Sequence, residues 1–225
     1  MPSKLAKAFF VVATDTDAGK TYVTNHLIKR LQHQQFKVIG CKPIACGLNA
    51  AGDNDDVLSY QRINSLPLLR EQINPLCFPL PVSPNIAASA INEPICLKRL
   101  GIQLKLLREL PVDYVFYESI GGWKVPINEH ETTIDLAIQL AVPIIFVVGM
   151  RVGCLNHALL TWDAICKENI ITAGWVANII APETPAMEQH ILTLKHWISA
   201  PYLGTLPFQE NNTVAESYLK LELLI

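Results

Sequence analysis

Residues 8–27 read AFFVVATDTDAGKTYVTNHL and hold the signal that decides the fold. The opening run, AFFVV, is short, apolar and continuous, as is typical of a fully buried strand of a parallel sheet. The polar loop Thr14–Thr21 follows it. Beyond the loop, apolar residues recur at the i, i+4 and i+8 spacing of a helix that we expect over about residues 20–33. Strand, loop and helix in this order predict a phosphate-binding loop.

The residue types in the loop suit nucleotide phosphates. Backbone N–H groups at the open first turn of a helix point at an anion, and the helix dipole adds to the attraction. We expect Lys20 to reach the terminal phosphates and Thr21 to offer its hydroxyl group to Mg²⁺. Thr14 stands where the common form of this motif has its first glycine, and Ala13 precedes it. We therefore expect the loop to begin in a backbone conformation that alanine tolerates.

The rest of the chain alternates between strands and helices. We expect further strands at residues 37–41, 114–117, 143–148, 174–177 and 202–204, and helices at residues 97–110, 134–140, 158–167 and 187–198. This alternation predicts an α/β fold of the P-loop NTPase type, a single domain over residues 1–225 with a mostly parallel sheet and helices on both faces. Residues 45–90 are rich in Pro, Asn and Asp and weakly periodic, so we interpret them as an irregular insertion that lines the site.

Composition excludes several classes of protein. Of the 225 residues, 50% are hydrophobic and 17% charged, which is the opposite of the signature of disorder. The net charge of −2 and the scattered basic residues give no nucleic-acid footprint, and the apolar runs are too short for a membrane span. The six cysteines are widely spaced, so we expect reduced, mostly buried thiols rather than a zinc site. We expect a cytoplasmic protein.

Charged residues follow two of the predicted strands. Glu118 ends the run DYVFYE, and an acidic residue at the carboxyl end of a parallel strand projects into the crevice where such folds bind ligands. We expect it in the metal shell, with Gly121 and Gly122 allowing close backbone approach to a substrate. Lys42 follows the second strand, so it is predicted at the same edge, where it would stabilise transferred negative charge.

An acidic cluster lies in the insertion. Asp53, Asp55 and Asp56 are typical of a solvated turn, yet one of them would complete a Mg²⁺ shell, because this hard cation prefers oxygen ligands. The spacing alone leaves open which of the three it is.

Taken together, these features resemble dethiobiotin synthetases, the ligases of biotin biosynthesis, over nearly the whole chain. TDTDAGKT at 14–21 is similar to the family's T-D-T-x-x-G-K-T, and KPIACG at 42–47 to its K-P-V-A-S-G. DVLSYQR at 56–62 resembles D-x-L-x-x-Q-R, and ESIGGW at 118–123 resembles E-G-A-G-G-W. The remaining fragments are the pairs at 74–75 and 83–84, GMRVGCLNH at 149–157 and GWVAN at 174–178.

The resemblance implies roles for individual residues. It implies that Mg²⁺ is held by Thr21, Asp56 and Glu118, and that the catalytic residues are Lys20, Lys42 and Thr16. It implies ATP contacts from Asp17, Ala18, Gly19, Lys20, Thr21, Tyr22, Asp56, Glu118, Asn178, Pro207, Phe208 and Gln209, with Asn178 at the adenine edge. It implies substrate contacts from Thr16, Lys42, Cys46, Gly121, Gly122 and Asn156.

The resemblance also implies a reaction and an assembly. ATP, CO₂ and 7,8-diaminopelargonate would give dethiobiotin, ADP and phosphate through a carbamate and a carbamic-phosphoric anhydride. The family is homodimeric, with the substrate site at the subunit interface, and residues 153–156 of the partner would hold the carboxylate of the diamine. The chain departs from the family pattern at four positions beside the site: Ala13, Cys46, Ser119 and Ile120.

Two other functions fit the phosphate loop, besides that of a non-catalytic nucleotide-binding homologue, against which the presence of Lys20, Thr21, Lys42 and Glu118 argues. One is a related P-loop synthetase, although such enzymes usually carry a separate glutaminase domain for which this chain is too short. The other is a partitioning-type ATPase that acts as a nucleotide-dependent dimer switch. Such switches usually place an additional lysine early in the loop, where this chain has Thr14, Asp15 and Thr16.

Overall fold

A computed structural model describes residues 5–181, 185–208 and 219–224. Six strands form the main sheet: β1 Lys7–Ala13, β2 Val38–Cys41, β5 Tyr114–Glu118, β6 Ile144–Met150, β7 Thr172–Ile179 and β8 Tyr202–Leu206. Their order in the sheet is β2-β5-β1-β6-β7-β8, and every neighbouring pair is parallel. The predicted parallel sheet is thereby confirmed. Two short strands, β3 Ile44–Cys46 and β4 Leu76–Phe78, form a separate parallel pair.

Helices cover both faces of the sheet, as the alternation of elements predicted. They are α1 Lys20–His33, α2 Asp55–Ile63, α3 Arg70–Ile73, α4 Pro84–Ala90, α5 Leu97–Leu106, α6 Thr133–Leu140, α7 Cys154–Cys166 and α8 Met187–Trp197. Alternate residues of β1 point to opposite layers because side chains of a strand alternate. Phe10 packs in the layer of α5, α6 and α7, whereas Phe9 packs in the layer of α1 and α2.

The interpretation of residues 45–90 as irregular was wrong. This segment contains α2, α3, α4 and the β4 strand, in addition to the end of β3. Each element is only three to nine residues long, so none repeats an apolar period often enough to be recognised. Local signals nevertheless mark their starts, because the Asn54 side chain accepts a hydrogen bond from Val57 N and Pro84 occupies the first turn of α4.

Several predicted boundaries shift by a few residues. α7 begins at Cys154, four residues before the predicted start, because Gly153 ends the preceding turn with a positive φ of 88° and starts the helix. The predicted helix 97–110 is α5 followed by a 3₁₀ turn at Leu107–Glu109. β7 is twice as long as expected. Within the described ranges, no helix combines the length and apolarity that crossing a bilayer requires.

The carboxyl ends of β2, β5 and β1 meet at one edge of the sheet. β1 leads into the phosphate loop, β2 leads directly into Lys42, and β5 ends with Glu118. Parallel pairing therefore brings three segments that are distant in sequence to the same crevice.

Candidate active site

The phosphate loop begins as an extension of β1. Ala13 is the last residue of that strand and has no positive φ, so the loop begins in a conformation that alanine tolerates, as expected. The left-handed conformations come later, at Asp17 with φ 57° and at Gly19 with φ 84°. Gly19 is the N-cap of α1 and provides no side-chain cap. The first turn of α1 therefore presents N–H groups to a phosphate.

The Lys20 side chain folds back across this loop. Its ammonium nitrogen donates to the backbone oxygen of Asp15 at 3.3 Å and to that of Gly121. Burial, and to a smaller extent Lys42, lower the pKa of Lys20 to about 8 against the opposing influence of Glu118, Asp56 and Asp15. Lys20 thus connects the phosphate loop to the segment after β5.

Glu118 is the most buried charged group of the site, with 1% of its surface exposed. One carboxylate oxygen, Oε1, accepts hydrogen bonds from the Lys42 ammonium group and from Thr21 Oγ1, the latter at 2.8 Å. The other oxygen, Oε2, accepts from the Tyr60 hydroxyl group. Both oxygens of this buried carboxylate are therefore satisfied by hydrogen bonds, as a charge in this position requires.

Asp56 approaches the same groups from α2. Its Oδ1 accepts from Thr21 Oγ1 at 2.7 Å, and its Oδ2 pairs with Lys42 Nζ at 2.7 Å. The other two acidic residues of this cluster point elsewhere: Asp53 pairs with Arg70, and Asp55 accepts from Asn49 Nδ2 at 2.9 Å. The structure thus selects Asp56 as the acidic residue of the three that lies in the site.

The charges in the cluster reinforce one another. Burial lowers the pKa of Lys42, but Glu118 and Asp56 outweigh it and raise the pKa above its usual value. Burial likewise raises the pKa of Asp56, and the opposing influence of Lys42, Thr21 and Lys20 lowers it below its usual value. Lys42 and Asp56 therefore form a charged pair at neutral pH.

The donor set at this point fits Mg²⁺. The set consists of the Thr21 hydroxyl oxygen and two carboxylate oxygens, from Asp56 and Glu118, each of which lies within hydrogen-bonding distance of that hydroxyl oxygen. Hard oxygen donors beside a phosphate loop are the ligands this cation prefers. In the described structure the Lys42 ammonium group bridges the same two carboxylates.

A cavity of about 740 Å³ opens over this cluster. The predicted site residues that line it are Thr16, Asp17, Gly19, Lys20, Thr21, Tyr22, Lys42, Cys46, Asp56, Glu118 and Gly121. Burial and, to a smaller extent, nearby Cys77 raise the pKa of Cys46 to about 11 against the opposing influence of Lys42, so Cys46 faces the cavity as a neutral thiol. The volume suits a small-molecule site.

Other predicted residues lie away from this cavity. Ala18 is buried in the loop, and Gly122 faces the backbone of Thr14 rather than the cavity. Asn156 is exposed in the first turn of α7. Pro207 and Phe208 follow β8, and Gln209 lies outside the described residues.

Asn178 contacts the phosphate loop from β7. Its Nδ2 donates to the Ala18 backbone oxygen at 2.9 Å, and a β-carbon added at Gly19 would lie 2.0 Å from that nitrogen. Its Oδ1 is buried and has no hydrogen-bond partner within the part of the chain that the structure describes. Asn178 is paired in register with Leu206, which brings it close to the residues that follow β8.

Sequence reasoning assigned no role to several residues of the site. The cavity is also lined by Asn54, Pro81, Val82, Ser83, Pro84, Ile120 and Val125. Tyr60 was missed as well, although it lies four residues after Asp56 on α2 and hence on the same helix face. This spacing was the signal in the sequence that could have placed Tyr60 beside Asp56.

Comparisons with known proteins agree with this geometry. The family described as an AAA domain matches residues 7–215. The ATP-dependent dethiobiotin synthetase of Cellvibrio japonicus is 40% identical over 205 residues, 89% of each chain. That of Pseudomonas aeruginosa is 37% identical over 96% of each chain, and that of Aeromonas hydrophila 36% identical over 97% of this chain and 98% of its own. The chain belongs to the dethiobiotin synthetase family. It is accordingly an ATP-dependent ligase, as predicted.

Solved structures show the wider fold. MinD cell division protein of Aquifex aeolicus has a TM-score of 0.55 and 15% identity, over 91% of this chain and 84% of its own. The signal recognition particle receptor FtsY of Elizabethkingia anophelis has a TM-score of 0.56 and 11% identity, over 97% of this chain and 61% of its own. At these identities the likeness shows the P-loop NTPase fold alone. The resemblance to a dethiobiotin synthetase therefore rests on sequence, and the partitioning-type alternative has only the fold in its favour.

Proposed function

We propose that this enzyme closes the ureido ring of dethiobiotin from 7,8-diaminopelargonate and CO₂, with ATP converted to ADP and phosphate. The observation that carries the proposal is the cluster of Thr21, Lys42, Asp56 and Glu118, which sets two carboxylates and an ammonium group directly beside the phosphate loop. The cavity over this cluster also has apolar walls, as an alkyl diamine requires.

In this proposal the phosphates of ATP lie along the first turn of α1. Lys20 would neutralise the terminal phosphates, while Thr21, Asp56 and Glu118 would hold Mg²⁺. The metal, when bound, would offset phosphate charge and orient the terminal phosphate. The carboxylates of Asp56 and Glu118, which Lys42 bridges in the described structure, would be two of the ligands, and the Lys42 ammonium group would lie beside them, close to the second substrate.

The diamine would lie on the other side of the cavity, along Thr16, Cys46 and Gly121. One neutral amine adds to CO₂ and loses a proton, which gives a carbamate anion that Lys42 and Lys20 stabilise. A carbamate oxygen attacks the γ-phosphorus, and ADP leaves. The second amine then attacks the carbonyl carbon of the mixed anhydride and expels phosphate, which closes the ring. The protein contributes positioning and positive charge rather than a nucleophile.

The adenine base would lie beside Asn178. Its buried and unpartnered Oδ1 is suited to accept a hydrogen bond from the exocyclic amino group, and Nδ2 is already engaged by the loop. Pro207, Phe208 and Gln209 would line the same pocket, because Leu206 is the partner of Asn178 in the sheet.

We further propose a cytoplasmic homodimer, in which Asn156 of the partner subunit helps to hold the carboxylate of the diamine. Asn156 is exposed at the start of α7 and does not line the cavity of its own chain, which supports action across an interface. All six cysteines fall in described segments and none forms a disulfide, in keeping with a reducing compartment.

The reaction is tested by measuring ADP release with the diamine and bicarbonate each omitted in turn. We expect release to require both, and the product to be dethiobiotin by mass spectrometry. Substantial ADP release without the diamine would favour the nucleotide-switch alternative and would contradict this proposal.

The shared site is tested by subunit complementation. Lys42→Ala and Asn156→Ala homodimers are each expected to turn over slowly, and a mixture that exchanges subunits should regain activity. One site of each mixed dimer then combines an intact Lys42 with an intact Asn156 from the other chain. A mixture no more active than its parents would show that Asn156 does not act across the interface.

A further inference from the structure

Tyr60 is the only residue outside the predicted site that donates to Glu118 within the described ranges. Its hydroxyl group donates to Glu118 Oε2, while Oε1 of the same carboxylate faces Thr21 and Lys42. The two oxygens are thus divided between two environments. Oε1 belongs to the cluster beside the phosphate loop, and Oε2 is turned away from it and held by a neutral donor.

The tyrosine ring has little freedom to move. Tyr60 is fully buried, and it packs over Gly40 of β2, where an added β-carbon would lie 2.5 Å from ring atoms Cδ1 and Cε1. The same added carbon would lie 2.8 Å from Ile28 Cδ1, so the ring, Gly40 and Ile28 fill one space. The ring can therefore occupy this position only because residue 40 lacks a side chain.

The helix that carries Tyr60 is anchored to the same strand. Asn64, the residue that follows α2, accepts from Gly40 N at 2.7 Å and donates to Gly40 O at 3.0 Å. At the other end of the helix, the Asn54 side chain caps the first turn. Tyr60 and Asp56 are one turn apart on α2, so one anchored helix delivers both a carboxylate to Thr21 and a hydroxyl group to Glu118.

We propose that Tyr60 is a positioning residue for the metal: by holding Glu118 Oε2 it fixes the carboxylate plane so that Oε1 alone faces Thr21 and Asp56. This inference rests on the proposed role of Glu118 as a ligand of Mg²⁺. Partners that orient a ligating carboxylate commonly change metal affinity by about 10- to 100-fold when they are removed. Without the hydroxyl group, Oε2 lacks a donor and the carboxylate can turn away from the ligand geometry.

The variant that tests this role is Tyr60→Phe, which keeps the packed ring and removes only the hydroxyl group. Tyr117→Phe is the matched control. Tyr117 lies in β5, directly before Glu118, and is fully buried like Tyr60. Its hydroxyl group donates to Leu104 O at 2.9 Å, away from the cavity. Both substitutions remove one buried hydrogen bond, to a carboxylate for Tyr60 and to a backbone carbonyl for Tyr117, so the control shows whether loss of a buried tyrosine hydroxyl group in itself changes the response to Mg²⁺.

Two measurements are made on each protein. The first is the affinity for ADP by calorimetry, with Mg²⁺ and with EDTA, and the second is the Mg²⁺ concentration that gives half-maximal turnover. For Tyr60→Phe we expect that concentration to rise by about 10-fold or more. We also expect the gain in ADP affinity on adding Mg²⁺ to shrink, with unchanged ADP affinity in EDTA and with turnover recovered at high Mg²⁺. Tyr117→Phe should match the parent enzyme in both measurements.

The inference is overturned if Tyr60→Phe and Tyr117→Phe are alike in both measurements. A failure of the proposed metal site would look different, because the parent enzyme itself would then bind ADP equally well with and without Mg²⁺, and a failure of the proposed reaction would appear as ADP release by the parent enzyme without the diamine. A third variant, Gly40→Ala, tests the packing. The added β-carbon should displace the Tyr60 ring, although residue 60 is still tyrosine. The Mg²⁺ concentration for half-maximal turnover should then rise as it does in Tyr60→Phe.

Discussion

Lys42 Nζ lies 2.7 Å from Asp56 Oδ2, and the pair joins the end of β2 to the first turn of α2. Lys42 is almost fully buried, whereas the Asp56 side chain is 36% exposed. The ammonium group also contacts Glu118, so it is shared between two carboxylates. Under the proposed function, Lys42 contributes both to the stability of the site and to its chemistry, and these two contributions can be separated by experiment.

Replacing Lys42 by alanine should reduce turnover by about 10²-fold or more, because a preorganised positive charge is lost. It also leaves Glu118 buried without its cation, which should lower the free energy of unfolding in EDTA by about 3–5 kcal/mol. Addition of Mg²⁺ should restore part of that stability. Denaturant unfolding and steady-state kinetics measure the two effects, with exposed Lys124→Ala as control. Near-normal turnover would contradict the proposed role.

Replacing Gly19 by alanine should weaken ADP binding by about 10-fold or more, equivalent to about 1.4 kcal/mol. Alanine at this positive φ is strained, and its β-carbon would lie 2.0 Å from Asn178 Nδ2. Gly52→Ala is the matched control, because Gly52 has φ 79° and nothing within 4 Å of an added β-carbon. Calorimetry should show unchanged ADP affinity for the control. Equal losses in both variants would indicate that strain alone is responsible.

Replacing Cys46 by serine should lower KM for the diamine by about 2- to 10-fold, since a hydroxyl group forms a hydrogen bond of about 0.5–1.5 kcal/mol that a thiol makes poorly. KM for ATP should not change. Cys77→Ser is the control, because Cys77 lies on the adjacent strand β4 and does not line the cavity. An unchanged KM in Cys46→Ser would exclude contact between this residue and the substrate.

The stability of the fold should fall as pH drops through about 6.5. Burial lowers the pKa of His26 in α1, with a further lowering by Lys29 opposed by the Tyr22 backbone oxygen. The unfolded chain therefore takes up a proton at a pH where the folded chain does not, and stability is lost as pH falls.

Urea unfolding from about pH 7.5 to about pH 5.5 measures this effect. His26→Gln should reduce the pH dependence, and exposed His196→Gln should leave it unchanged. A dependence that persists in His26→Gln would assign it to other groups.

Much of this arrangement was predictable from the sequence because parallel topology is restrictive. Once β1 and its loop were recognised, the ends of β2 and β5 had to lie at the same edge, which brought Lys42 and Glu118 together. Asp56 was harder to distinguish from its neighbours Asp53 and Asp55. The resemblance to the family pattern singled out Asp56, and the anchoring of α2 shows why this carboxylate points inward.

The features that were missed depend on tertiary contacts. Tyr60 occupies a position where the family pattern quoted above allows any residue, and its role arises from the absence of a side chain at Gly40. The short helices between residues 45 and 90 are stabilised by packing rather than by a long apolar period. Likewise, no spacing in the sequence indicates that Asn178 donates to Ala18.

The contact between Asn178 and the phosphate loop limits which substitutions could alter the nucleotide preference of this enzyme. The residue proposed to read the base also supports Ala18 and packs against Gly19, so a substitution that alters nucleotide preference would deform the loop that holds the phosphates. Base selectivity and phosphate affinity are therefore coupled through Asn178. A variant with a new nucleotide preference would need a compensating change near Gly19 before it could match the parent enzyme.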